Sequence, residues 1–200
     1  MNQSVKTRPK IQRDSLLTLE AYAGERANFR AQVIAHKKNR TLQLGDNVTL
    51  IFEDELTIRY QIQEMLRVER IFEEQGIQDE LDTYGPLIPD GRNFKATMMI
   101  EYPDPEERQR WLAKLIGIED HVWIQIQGFG RIEAIADEDL ERENEQKTSA
   151  VHFLRFELSE SMAQALKAGA RLSIGIDHPQ YQAILDVPAE VRDALTRDLT

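Results

Sequence analysis

Apolar positions recur at helical spacing through the first part of the chain. On a wheel of ~100° per residue, Leu16, Leu19, Tyr22, Ala23, Ala27, Phe29, Val33 and Ile34 form one broad stripe. This predicts a long helix capped by Asp14 and running to about His36. The period then changes: Thr41–Leu44 and Val48–Glu53 read as two strands joined by the turn Gly45-Asp46-Asn47. A second long helix is expected over Leu56–Glu74, broken at Gly76. Ile77, Leu81, Tyr84 and Ile88 place a shorter helix before the turn Pro89-Asp90-Gly91.

Beyond that turn the pattern is mixed. Phe94–Tyr102 alternates as a strand, Pro105–Ile116 reads as a helix, and Val122–Gln127 and Arg131–Ala136 read as strands around Gly128 and Gly130. Asp137 to Glu145 is an acidic run of six carboxylates, read as a solvated loop. A strand (Ala150–Leu158), a helix (Ser159–Lys167) capped by Gly169, a strand (Leu172–Asp177) and a helix from about Pro188 complete the chain. A strand–helix–strand order normally makes the two strands parallel. The fold class that follows is α+β. The expected architecture is a helical N-terminal half, two long helices flanking a short hairpin, packed on a mostly antiparallel sheet from the C-terminal half. Residues 1–13 are polar and basic and read as a flexible tail, leaving 14–200 as a single domain.

Composition narrows the chemistry. The chain has no cysteine, which excludes disulfides, thiol catalysis and Cys-ligated zinc or iron–sulfur clusters held by this chain alone. No apolar run approaches the ~20 residues that span a bilayer, and the N-terminus has no secretory h-region, so a cytoplasmic protein without membrane contact is expected. The net charge of −10 is uneven, with +6 in residues 1–40 and −16 in the rest. An acidic body repels nucleic acid. Lys37, Lys38 and Arg40 form a basic patch without the aromatic interleaving of a reading module, so no nucleic-acid partner is expected. The basic front is suited to an acidic surface, and a homo-oligomer would supply one.

Charged and polar residues fall on the apolar faces of both long helices. Arg26 and Arg30 lie four apart within the first stripe. Gln61 and Glu69 interrupt the second, formed by Ile58, Ile62, Met65, Leu66, Val68 and Phe72. Such groups are costly to bury unpaired. One resolution is a structural ion pair between Arg26 or Arg30 and Glu69. The other is a polar inter-helix pocket in which Arg26, Arg30, Gln61, Glu69 and a nearby Glu64 hold a small anionic ligand or a metal. His152 and His178 lie on the apolar faces of their strands. Parallel strands would set them roughly 20 Å apart at ~3.3 Å per residue, so hydrogen-bonded histidines are expected rather than a shared ion. No metal site is predicted. His178, at the strand end Asp177-His178-Pro179, is the best single metal candidate.

The familiar linear signatures are missing: no His-Glu-x-x-His, no Glu-x-x-His, no P-loop and no Gly-x-Ser-x-Gly. Gly128-Phe-Gly130 lacks the third glycine of a dinucleotide fingerprint. No cofactor is predicted.

One likeness emerges from longer stretches. Tyr60-Gln61-Ile62-Gln63-Glu64-Met65-Leu66-Arg67, followed by Glu69-Arg70-Ile71, resembles the central signature of an uncharacterised bacterial family, domain of unknown function 3501. His36-Lys37-Lys38-Asn39-Arg40, Leu50-Ile51-Phe52-Glu53, Tyr84-Gly85-Pro86-Leu87-Ile88-Pro89, Ala96-Thr97-Met98-Met99-Ile100-Glu101 and Asp177-His178-Pro179-Gln180-Tyr181 are similar as well. The likeness runs from about Asp14 to Leu199. It names no activity. It implies genes that accompany those of a rubrerythrin-like di-iron protein and an iron–sulfur oxidoreductase. Two readings stand at this stage. The first is an accessory or interaction protein of a cytoplasmic redox or peroxide-stress system, without a catalytic site of its own. The second is an enzyme or sensor that binds a small anionic ligand or a metal.

Overall fold

The computed structural model describes residues 11–138 and 146–200. Its elements are α1 (Leu19–Lys37), β1 (Thr41–Leu44), β2 (Val48–Phe52), α2 (Glu55–Glu69), α3 (Glu74–Tyr84), β3 (Asn93–Ile100), α4 (Pro105–Lys114), β4 (Val122–Ile126), β5 (Arg131–Glu133), β6 (Ile135–Ala136), β7 (Val151–Glu157), α5 (Glu160–Lys167), β8 (Leu172–His178), β9 (Tyr181–Asp186) and α6 (Ala189–Thr196). Helices and antiparallel sheets make it an α+β fold.

The strands form two sheets, ordered β1-β2-β3-β7-β6 and β5-β4-β8-β9. Every pairing among the described residues is antiparallel. The parallel relation expected for the strands around α5 does not arise, because β7 and β8 belong to different sheets. The β1–β2 hairpin is not confined to a helical half; β2 pairs with β3 and extends the first sheet. Buried residues of both sheets, among them Phe52, Phe94, Met98, Ile124, Phe156 and Ile174, make one continuous core. β3 shows why: its alternate residues Phe94, Ala96, Met98 and Ile100 are buried while Lys95, Thr97 and Met99 between them are half-buried. The segment 131–136 pairs first with β4 and then with β7, so one length of chain passes from one sheet to the other.

The helical layer has its own smaller core of Ile11, Leu16, Ile58, Ile62, Leu66, Ile77 and Leu81. Ile11 of the expected tail belongs to it, and Arg13 pairs with Glu74 at 3.1 Å. Several boundaries differ from the sequence reading for local reasons. Asp14 lies in a 3-10 turn, and α1 begins five residues later, at Leu19, because the Thr18 hydroxyl accepts from the Ala21 N–H. α2 stops at Glu69, where Arg70 adopts a left-handed conformation (φ 56°), so Gly76 lies inside α3 rather than breaking a helix. β9 was not anticipated. It is an edge strand whose inward residues Tyr181, Ala183 and Leu185 are only half-buried, while Ile184 is 70% exposed.

The layers meet at Arg40. Its guanidinium, buried at the end of α1, forms a bidentate contact with Asp198 (2.7 and 2.8 Å) and reaches Asp54 at 3.1 Å. Asp54 caps α2 through the Thr57 N–H and also meets His36 Nε2 at 2.6 Å. One arginine thereby joins α1, the start of α2 and the C-terminal segment.

Candidate metal centre

The helical candidates separate in the structure. Glu64, not Glu69, receives Arg26: Arg26 Nε and Nη2 donate to its two carboxylate oxygens at 2.7 and 2.9 Å. The Tyr22 hydroxyl donates to the same carboxylate at 2.6 Å, and Arg67 at 3.1 Å. These donors, Arg26 first, hold the Glu64 carboxyl well below its usual range, at about 2, against the opposing effect of burial. The Tyr22 hydroxyl is pushed up by burial and by the carboxylate beside it. Arg30, Gln61 and Glu69 are exposed and outside this cluster. The wheel identified the faces, but helix register chose a glutamate five residues earlier.

His178 is buried with both ring nitrogens engaged. Nε2 lies 3.1 Å from the Ile116 carbonyl, and Nδ1 accepts from the Gln180 N–H at 3.2 Å. This fixes the Nε2–H tautomer, and burial lowers the ring's pKa. His121 packs edge-on at 5.3 Å between ring centroids, without a carboxylate completing a ligand set with His178.

A different constellation gathers at one end of the two-sheet core. His152, on the inward face of β7 opposite Met98, is fully buried. Asp137 follows β6 with φ 45°, a conformation that Asp tolerates better than most residues with a Cβ. It is held there by β7: its N–H donates to the Phe153 carbonyl at 2.9 Å, and its Oδ1 accepts from the Phe153 N–H at 2.8 Å. Oδ2 then meets His152 Nδ1 at 2.5 Å. Glu119, from the 3-10 turn Ile118–His121, is buried and brings Oε1 to 3.6 Å from the same nitrogen. One ligand atom from each of these three residues can be chosen so that all lie within 4.8 Å of one another; no other such group occurs among the described residues.

The second ring nitrogen has two neighbours. Nε2 lies 3.1 Å from the Ser149 carbonyl oxygen and 2.9 Å from the Thr148 hydroxyl. The Ser149 carbonyl can only accept, so a bond to it needs a proton on Nε2, whereas the Thr148 hydroxyl can either accept from Nε2 or donate to it. Nδ1 faces Asp137 Oδ2 at 2.5 Å. Two lone pairs do not sit 2.5 Å apart without positive charge between them. A proton on Nδ1 provides it, and so would a metal cation. An imidazole that donates its remote N–H to a backbone carbonyl is how a ligating histidine is held.

No linear motif announces this site. Its residues come from a turn, a sheet-switching strand and a core strand. The inward position of His152 was the one visible signal. Asp137 opens the acidic run read as a solvated loop; Glu138 pairs with Arg155 at 2.7 Å, and residues 139–145 lie outside the described residues.

A cavity of about 650 Å³ lies elsewhere, beside α3, with Tyr84, Leu87, Lys95, Phe153 and Arg155 among its lining. Its cations are engaged: Arg155 with Glu138 and Glu157, Lys95 with the Pro86 carbonyl. Burial lowers the Lys95 pKa.

Fold and site define an α+β protein with a buried histidine–carboxylate cluster. Comparison with known proteins gives the family: a family model described as "Protein of unknown function (DUF3501)" matches residues 10–199, and the chain belongs to that family. A crystal structure of a novel protein of unknown function from Burkholderia pseudomallei K96243 is 55% identical, covers 96% of this chain and 100% of its own, and superposes with a TM-score of 0.92. No curated protein matches the chain. Neither the family description nor the solved structure names an activity. No described helix is long and apolar enough to cross a membrane.

Proposed function

We propose that this protein binds a divalent transition-metal ion through His152 Nδ1 and the carboxylates of Asp137 and Glu119. The observation that carries the reading is the convergence of one ligand atom from each of His152, Asp137 and Glu119 within 4.8 Å, with His152 Nδ1 2.5 Å from Asp137 Oδ2. One imidazole and two carboxylates form a ligand set of intermediate hardness, suited to Mn²⁺, Fe²⁺ or Zn²⁺. A cation with ligands at about 2.0–2.2 Å would open the Nδ1–Oδ2 contact toward roughly 3 Å and draw Glu119 inward. Three protein ligands leave a coordination position for water or a small ligand, as catalytic sites do. Thr148 and Ser149 are the outer partners that orient the ring.

The test is elemental analysis of protein from its native host. It is paired with thermal denaturation of chelated protein titrated with Mn²⁺, Fe²⁺ and Zn²⁺. The expected result is one ion per chain and a rise in melting temperature that Asp137→Asn abolishes; Asn tolerates the same positive φ and stays folded. Metal-free protein from the host, with no shift from any of the three ions, would overturn the proposal.

A further inference from the structure

The outward face of α1 carries a second regular seam. Tyr22, Arg26, Phe29, Val33 and His36 face α2 or its cap, at spacings of four and three: Tyr22 and Arg26 meet Glu64, Phe29 meets Tyr60, and His36 meets Asp54. On the opposite side, Glu20, Gly24, Ala27, Ala31, Ile34 and Lys38 repeat the same spacing, and all six are exposed. Between its charged ends this second seam is small and uncharged, with Ile34 its one large apolar residue.

Gly24 points outside the chain. A glycine in a helix interior costs about 0.5–1 kcal/mol relative to alanine. A Cβ added at Gly24 would meet nothing within 4 Å, so no packing inside the chain calls for its absence. Ile34 is 48% exposed ten residues on. Among the described residues, neither Glu20 nor Lys38 has an ion-pair partner.

We infer that this seam docks on the same seam of a second copy, antiparallel, about a two-fold axis at the level of Phe29. In that register Glu20 faces Lys38, Gly24 faces Ile34, and Ala27 faces Ala31, each pair occurring twice. The contact is self-complementary in charge, with acid at one end of α1 and base at the other. It is also self-complementary in shape, because the bulkiest apolar residue lies opposite the helix glycine. A two-fold contact requires both. The alanines let the helices approach closely. One helix pair lies at the small end of specific interfaces, so the dimer dissociates on dilution.

The test is sedimentation analysis of the full chain over a concentration series. Wild type is expected to pass from monomer to dimer, and Ala31→Arg, at an exposed position that leaves the fold intact, to remain monomeric. Glu20→Lys should raise the dissociation constant by about tenfold, and Glu20→Lys with Lys38→Glu should restore it. Because the chain has no cysteine, register can be read directly. An Ala27→Cys chain mixed with an Ala31→Cys chain should cross-link more readily than either alone. The inference is overturned by a wild type that stays monomeric, a dimer indifferent to Ala31→Arg, or Ala27→Cys chains that cross-link alone as well as in the mixture.

Discussion

Two bidentate arginine–carboxylate contacts sit in opposite settings. Arg40 and Asp198 meet at the joint between helices and sheets with 4% and 6% of their side chains exposed, whereas Arg26 and Glu64 meet on the helical layer with 36% and 18% exposed. Their distances are nearly the same. Burial separates them: a desolvated pair becomes costly once one partner is removed, while solvent compensates for an open one. The same contrast runs through the molecule. The sheets and the joint hold close-packed groups with committed partners, and the helical layer keeps open surface.

Arg40→Ala gives the largest expected effect, a loss of about 3–5 kcal/mol in denaturant unfolding, because Asp198 and Asp54 would keep buried charge without its counterpart. Gly175→Ala tests the packing of the second sheet. An added Cβ would run into the Trp123 ring and approach the Ala183 carbonyl to 2.9 Å, so a loss of about 1–3 kcal/mol is expected in the same measurement. Gly24→Ala should have the opposite sign. At dilutions where the chain is monomeric it should stabilise by about 0.5–1 kcal/mol, while sedimentation shows weaker association.

Glu64→Gln should have the smallest effect, and it depends on pH. The folded carboxyl titrates at about 2, below its ordinary 4.5, so its stabilising contribution is present above about 4.5 and disappears as pH falls toward 2. Melting curves of wild type and variant should therefore differ at neutral pH and converge in acid.

Much of the secondary structure was legible because core strands and helices carry strong periodicity: β3 and β7 alternate, and α5 begins at its Ser159 cap. β9 was not, since an edge strand with one open face shows a weak contrast between its sides. The division of strands into two sheets was also hidden, because periodicity gives a strand its faces but not its neighbours. The same limit governed the sites. Arg26 on an inward face was readable, but its partner depended on helix register. His152 was readable as inward, while Glu119 and Asp137 join it only after three distant elements have folded. Of the seam on α1 only Ala27 and Ile34 stood in the broad stripe from Leu16 to Ile34, which could be divided between two faces only once α2 was in place.

The segment that passes from β5 to β6 bears on how the molecule opens. Because one stretch of backbone is hydrogen-bonded first to β4 and then to β7, neither sheet can peel away without breaking the ladder of the other. Amide hydrogen exchange should report this as shared protection, with Ile132 and Phe153 released by the same rare opening events. Asp137 leaves the end of that segment, so an ion bound there would slow exchange in both sheets at once.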